Sequence, residues 1–456
     1  MDDTIDRIAK RVRSGDVSAT RVIEEALERA VASDRLNAFI TLDTTGALKK
    51  AGQIDSRSSA AHSGDLLGVP IVVKDNIDVA NLRTTAGTPG IDYVPVVSAP
   101  MVARLEKAGA IVIGKTNMHE LAFGVTSNNQ CFGAVRNPSD PTRFPGGSSG
   151  GTAAAIAAGI VPAGLGTDTA GSVRDPAALC GVAGFRPTTW QVAQEGVVPS
   201  APTFDVVGSM ASRVADLAIL NTVMTDCPTP AQLDAKGLRF GVATPQTDNL
   251  SDGVAAAFDT ACSRLSVAGI SLVDVNLSSI VEQSFDIGYP IAFYEMKREM
   301  TAFLKKKQPQ TRFVELVEKI ASEDVKAIYL DSVVGDNGPT EAAYLQAIGR
   351  IDHIRRDYAK ILDSLELDGV LWPTVPLEAQ LIERSMETVV LNGEVVPIVP
   401  TFVRNAVTAS ICAAPGISIP MGVNHEGLPI GLELDGRPDE DFALLSAAIT
   451  VEAIVA

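Results

Sequence analysis

Apolar positions along this chain fall into two patterns, a recurrence every three or four residues and short unbroken runs, and the two alternate. Over 18–30 (SATRVIEEALERA) the first pattern follows Ser18. It predicts an amphipathic helix with Ser18 as its N-cap, and a short strand at 36–42 comes next. At 66–74 (LLGVPIVVK) a β-branched run predicts a buried strand ending on Lys74, and 100–107 and 110–114 then read as a helix and a further buried strand. The alternation returns at 238–243, 252–268 and 270–275, a strand–helix–strand unit whose crossover should be right-handed. Two helical stretches follow. In the second, 340–365, Tyr344, Ile348, Ile351, Ile354, Tyr358, Ile361 and Leu365 keep helical spacing, and strands at 370–372, 417–419 and 430–434 close the chain. These elements predict an α/β fold: a single large domain with a mixed, mostly parallel twisted central sheet and helices on both faces. There is no repeat and no interdomain linker. One domain over 1–456 is expected, with an N-terminal helical apron (1–60), a core segment (66–200), a helical cover (278–366) and C-terminal strands and helix (367–456).

Composition changes this picture in one place. Between Phe123 and Gly184, Gly, Ser, Thr and Ala crowd into GGSSGGTAAAIAAGIVPAGLGTDTAGSVRDPAALCGVAG. The Ala/Ile run inside it is a good helix and IVPAGLG a good buried strand, so the segment reads as a functional unit and not as a flexible linker. The longest apolar stretch, 153–166, contains Gly159, Pro162 and Gly164 and is shorter than the roughly 20 residues needed to span a bilayer. The charged, amphipathic start (MDDTIDRIAKRVRSGD) lacks the pattern of a signal peptide. Five cysteines (Cys131, Cys180, Cys227, Cys262, Cys412) are scattered, with no CxxC pair, so neither a disulfide framework nor a zinc site is expected. A cytoplasmic setting and a monomer or homodimer are the expectation. The formal net charge of -17 repels phosphate backbones and anionic lipid, which argues against nucleic-acid and membrane partners.

The Gly-rich run 146–155 (GGSSGGTAAA) has no Gly-Lys-Ser/Thr, and no basic residue stands between Arg143 and Arg174, so it is not a phosphate loop; GxGxxG is absent as well. What remains is a pair of serines, Ser148 and Ser149, at a helix start. A second glycine-containing turn, TDTAGS, places Ser172 24 residues after Ser148, at the end of a strand. Small residues there let backbone N–H groups approach a substrate and stabilise an oxyanion. A serine nucleophile needs a base. None of the four histidines (His62, His119, His353, His425) sits in a strand-end turn with an acidic orienter, and there is no GxSxG elbow. A buried lysine can serve when desolvation lowers its pKa, and Lys74, at the end of an apolar strand, is the best placed.

The set VVKDNI, GKTNMHELAFG, FPGGSSGG, GTDTAGSVRDPAALCGVAGFRPT and GLPIGLELDG resembles the amidase signature family from about residue 5 to 450, and within it bacterial amidases of the indoleacetamide and mandelamide hydrolase kind. The resemblance implies that Ser172 is the acylated nucleophile, Ser148 a bridging serine preceded by a cis Gly147–Ser148 bond, and Lys74 the base. It further implies an oxyanion hole from the backbone N–H groups of Thr169, Ala170, Gly171 and Ser172, a supporting pair Asp168–Arg174, and Ser149 as a neighbour of the relay. No metal or other cofactor is implied. Two positions depart from the family pattern: Ala170 replaces a glycine, tolerable if its φ is negative, and Asp175 replaces an apolar residue, where a salt bridge to Arg174 is expected.

By family position Ala122 and Phe123 border the substrate, and Tyr294 and Trp372 are candidates for further apolar wall. The activity this implies is ping-pong hydrolysis of small uncharged aryl or alkyl amides, with esters and carbamates open to the same apparatus. The alternative is a glutaminase-type subunit of a tRNA-dependent amidotransferase, since the family contains one.

Overall fold

The computed structural model describes residues 4–56, 63–384 and 387–455. Its strands are β1 (Phe39–Leu42), β2 (Pro70–Lys74), β3 (Ile111–Thr116), β4 (Asn128–Asn129), β5 (Gly133–Ala134), β6 (Ala163–Asp168), β7 (Ala183–Arg186) and β8 (Val206–Ala211). They continue with β9 (Arg239–Thr244), β10 (Ser271–Asn276), β11 (Gly369–Pro373), β12 (Thr388–Leu391), β13 (Glu394–Pro397), β14 (Gly416–Val423) and β15 (Pro429–Asp435). Eleven of them form one sheet in the order β1-β3-β2-β6-β8-β7-β14-β15-β11-β9-β10. The sheet is mixed and flanked by helices, as expected. Its parallel pairs gather in two groups, β3-β2-β6 and β11-β9-β10. Between them the pairs from β6 to β11 run antiparallel. The short, glycine-bearing β7 and β8, which hydrophobic pattern alone does not signal, supply part of this antiparallel centre.

The continuous apolar runs have a physical cause: the sheet is covered on both faces. In β11 Leu371 joins one hydrophobic cluster while Val370 and Trp372 join another, as the two-residue period of a strand requires. Every residue of β2, β3, β6, β8 and β15 is buried. The expected helices form where their caps stand. Ser18 Oγ accepts the Arg21 N–H at 3.0 Å ahead of Ala19–Ala32, and Thr340 Oγ1 accepts from Ala343 N ahead of Glu341–Ser364. Asp252–Ala268 joins β9 to its parallel neighbour β10.

The helical cover opens with one long helix, Ser278–Lys307, and continues through Phe313–Lys319 and Glu323–Ile328 to a π-helical turn, Tyr329–Val333. The loop after β3 pins it down. The Glu120 carboxylate accepts the N–H groups of Ala321 at 3.0 Å and Ser322 at 2.7 Å, and His119 Nε2 meets Asp324 Oδ2 at 3.1 Å. Tyr329 then packs edge-on against Phe123, ring centroids 5.8 Å apart. Among the described residues no helix is long and apolar enough to cross a membrane, and no group of His, Cys, Asp and Glu is arranged to hold a metal ion.

Candidate active site

β2 and β6 are parallel neighbours, so the end of one strand faces the end of the other. Lys74 closes β2 and is fully buried. Its Nζ lies 2.8 Å from Ser148 Oγ, 2.8 Å from Thr167 Oγ1 and 3.4 Å from the Thr167 carbonyl. Burial lowers the Lys74 pKa to about 7, against a smaller opposing pull from Asp168 and Asp205. Asn76 Nδ2 donates to Thr167 Oγ1 at 3.0 Å and completes the lysine's surroundings. Neither Asn76 nor Thr167 stands out as a site residue in the sequence, although Thr167 opens the TDTAGS turn and Asn76 lies two residues beyond the lysine.

Ser148 follows a cis peptide bond with Gly147, as the family resemblance implies. Its carbonyl accepts the His119 N–H at 3.0 Å, and its hydroxyl is turned to Lys74. Ser149 bridges the two turns: its Oγ donates to the Thr167 carbonyl at 3.3 Å, and its N–H donates to the Ser172 carbonyl at 3.2 Å. Ser172 is half-buried and lines a cavity. Lys74–Ser148 is thus a formed hydrogen bond, whereas the Ser172 hydroxyl makes none with the described residues.

The turn before Ser172 is held from beneath. Asp168 accepts from Arg174 Nε at 3.0 Å and Nη2 at 3.1 Å, from Arg186 Nη1 at 3.2 Å, and from the N–H groups of Gly171 at 2.9 Å and Val173 at 3.2 Å. Burial on its own raises a carboxyl pKa, yet the two guanidinium groups and these N–H donors hold Asp168 well below the usual range. The supporting pair is therefore larger than expected. Arg174 also meets Glu433 Oε1 at 2.6 Å and the Ala406 carbonyl at 3.0 Å. One expectation is corrected here: the Gly171 N–H is spent on Asp168, so it is not a free donor for an oxyanion, while Thr169, Ala170 and Ser172 have no such internal acceptor. Ala170 is not among the positive-φ residues, so its methyl group is accommodated.

Gly171, at φ 113°, is required twice over: the left-handed backbone disfavours a side chain, and a Cβ would stand 2.6 Å from the Asp175 carboxyl oxygens. Asp175 corrects a second expectation. Among the described residues it forms no salt bridge, because Arg174 is already engaged by Asp168 and Glu433, and both its oxygens are buried without a partner there. Burial, strengthened by nearby Asp168 and Glu433 and only partly opposed by Arg174, pushes its carboxyl well above the ordinary value, so the neutral acid is favoured. A raised folded pKa contributes stability that is present below about pH 4, the unfolded value, and is lost as pH rises toward the folded value. Asparagine cannot titrate. The melting-temperature difference between Asp175→Asn and the parent should widen in the variant's favour as pH is raised from about 4 to about 8, and a pH-independent difference would contradict a neutral Asp175.

Above the turn lies a cavity of about 850 Å3, its open mouth included. Thr169, Ala170 and Ser172 line it together with Ala122 and Phe123, where the resemblance placed the last two. Ala122 has φ 58°, in the left-handed region. Tyr294 and Trp372 do not contribute. Tyr294 stacks on Tyr344, centroids 4.4 Å apart, and Trp372 is core, its Nε1 donating to the Asn405 carbonyl at 3.0 Å. The wall also takes in Gly124, Val125, Phe204, one face of the Ser278–Lys307 helix, Val399, Val403, Val407 and Ile411, with the hydroxyls of Ser200 and Ser410 among them. Among the described residues no charged side chain lines it. Among the histidines, His119 is occupied by Asp324 and by the Ser127 N–H, His353 and His425 are exposed, and His62 lies outside the described residues.

A family model described as Amidase matches residues 21–445. The chain is 36% identical to an indoleacetamide hydrolase of Agrobacterium vitis, over 98% of this chain and 96% of that protein. It is also 36% identical to a mandelamide hydrolase of Pseudomonas putida, over 99% and 91% of the two. A crystal structure of an amidase superposes with a TM-score of 0.88 at 31% identity, covering 100% of both chains.

Proposed function

The chain belongs to the amidase family, and from that premise we propose that it hydrolyses uncharged aryl or alkyl amides by acyl transfer through Lys74, Ser148 and Ser172. The observation that carries the reading is the buried Lys74 amine within 2.8 Å of Ser148 Oγ, with its pKa brought to about 7. A neutral amine has two N–H bonds and one lone pair. With its N–H groups on the Thr167 carbonyl and Oγ1, the lone pair is left to accept the Ser148 O–H. Ser148 then accepts the proton of Ser172 as Ser172 Oγ attacks the substrate carbonyl, a contact that forms when substrate seats. The developing oxyanion is met by the N–H groups of Thr169, Ala170 and Ser172. The proton returns along the same chain to the leaving amine, and water then attacks the acyl-serine by the reverse relay to release the acid. Esters and carbamates present the same carbonyl and a leaving heteroatom, so the proposal extends to them.

Substrate class follows from the cavity. Aromatic and aliphatic walls without a charged group favour uncharged acyl groups. Glutamine would bring an ammonium and a carboxylate into that space unpaired, so the glutaminase alternative is not favoured.

Two measurements test the reading. A fluorophosphonate followed by peptide mapping should mark Ser172. On phenylacetamide, kcat/KM should fall about tenfold per pH unit below an apparent pKa of about 7, because protonated Lys74 cannot accept a proton, and should level off above it. A label on another residue, or a rate flat from pH 5 to pH 8, would reject the proposal.

A further inference from the structure

The Ser278–Lys307 helix places Ser284, Phe285, Gly288, Tyr289, Ala292, Phe293 and Met296 on the cavity, positions that recur at helical spacing and share one face. Four of the seven carry large side chains. Gly288, in the middle of the row, carries none. Glycine inside a helix weakens it relative to alanine, so its presence calls for a reason. A left-handed backbone is not that reason: Gly288 is not among the positive-φ glycines. Close packing is not the reason either. A Cβ built on Gly288 meets one neighbour within 4 Å, the Ile411 Cδ1 at 3.8 Å, an ordinary contact. The space a larger side chain would take is the cavity itself, between the helix and the wall that carries Ile411.

We propose that Gly288 determines how long an acyl group the site accepts, and that the site is built for extended apolar acyl chains, arylalkanoyl groups among them, in preference to the shortest amides. The inference rests on the reading of Ser172 as nucleophile and adds to it the residue that sets depth. With Phe285, Tyr289 and Phe293 on the helix and Val403 and Ile411 across from it, nothing on the walls recognises charge.

The test uses the full chain and a series of 4-nitroanilides running from acetyl through phenylacetyl to 6-phenylhexanoyl. The parent should gain in kcat/KM along the series. In Gly288→Leu the ratio of the longest to the shortest substrate should fall on the order of 100-fold, the scale on which a pocket discriminates a few methylenes. Gly288→Ala should lower the same ratio by a smaller factor while melting at or above the parent temperature, since helix propensity favours alanine. The alanine variant keeps the experiment decisive if leucine prevents folding. A ratio within about threefold of the parent in both variants, or a parent that shows no gain with length, overturns the inference. Fluorophosphonate labelling of the parent separates the two levels: a labelled Ser172 with a flat series removes only the role of Gly288, whereas an unlabelled Ser172 removes the reading beneath it as well.

Discussion

Ser172→Ala should lower amide turnover on the order of 10^4-fold or more, and Lys74→Met should lower it nearly as far, with the double variant no worse than the poorer single. Members of a relay act as a unit: once the hydroxyl that attacks is gone, the base has nothing to arm, and once the base is gone, the hydroxyl stays a weak nucleophile. Stability should move differently. Lys74 keeps a polar amine entirely out of water, and that burial is what lowers its pKa. Methionine has similar length and no charge to desolvate, so Lys74→Met should melt within a few degrees of the parent or above it. Steady-state kinetics with thermal denaturation on the same preparations check both halves. A Lys74→Met variant that keeps more than about a tenth of parental turnover would remove the lysine from the mechanism.

The second large effect is on the fold. Arg174 is buried and meets Asp168, Glu433 and the Ala406 carbonyl at once, tying the turn before the nucleophile to the far strand β15 and to the segment after Val403. Arg174→Met takes the cation from buried Glu433 and Asp435 and leaves Arg186 alone on Asp168, and breaking a buried ion pair in this way costs about 3–5 kcal/mol. Denaturant unfolding should register that loss as a lower midpoint. Adding Glu433→Gln should return part of it, since the acid left without its cation is then neutral, while Asp168 keeps Arg186 and the Gly171 and Val173 N–H groups. If Arg174→Met unfolds at the parental midpoint, the network is not what holds the turn.

Much of this site could be read from the residues. Lys74, Ser148 and Ser172 are legible because short motifs carry them: a lysine closing an apolar strand and two small-residue turns separated by one helix and one strand. Helices such as Ala19–Ala32 are legible because cap and periodicity agree. The network under the turn was not. Arg186, Glu433 and Ser410 come from distant parts of the chain, and nothing local marks a buried arginine's partners. The misreading of Asp175 has the same source, since its sequence neighbour Arg174 points away to acids elsewhere in the fold. The apolar wall escaped for another reason. Aromatic residues on a long helix look alike whether they face core or cavity, and only the sheet's position decides that Phe293 faces the cavity while Tyr294 stacks on Tyr344.

The anchoring of the helical cover has a consequence for how such proteins diversify. The groups proposed to do chemistry all lie between residues 74 and 172, whereas most of the wall that would choose among substrates lies beyond residue 200 and is fastened to the earlier segment through His119 and Glu120. A chimera that exchanges 278–334 between related chains, keeping the partners of those two side chains at 321, 322 and 324, exchanges selectivity while leaving the proton path in its original setting. Recombination can therefore explore new substrates here without rebuilding the reaction each time.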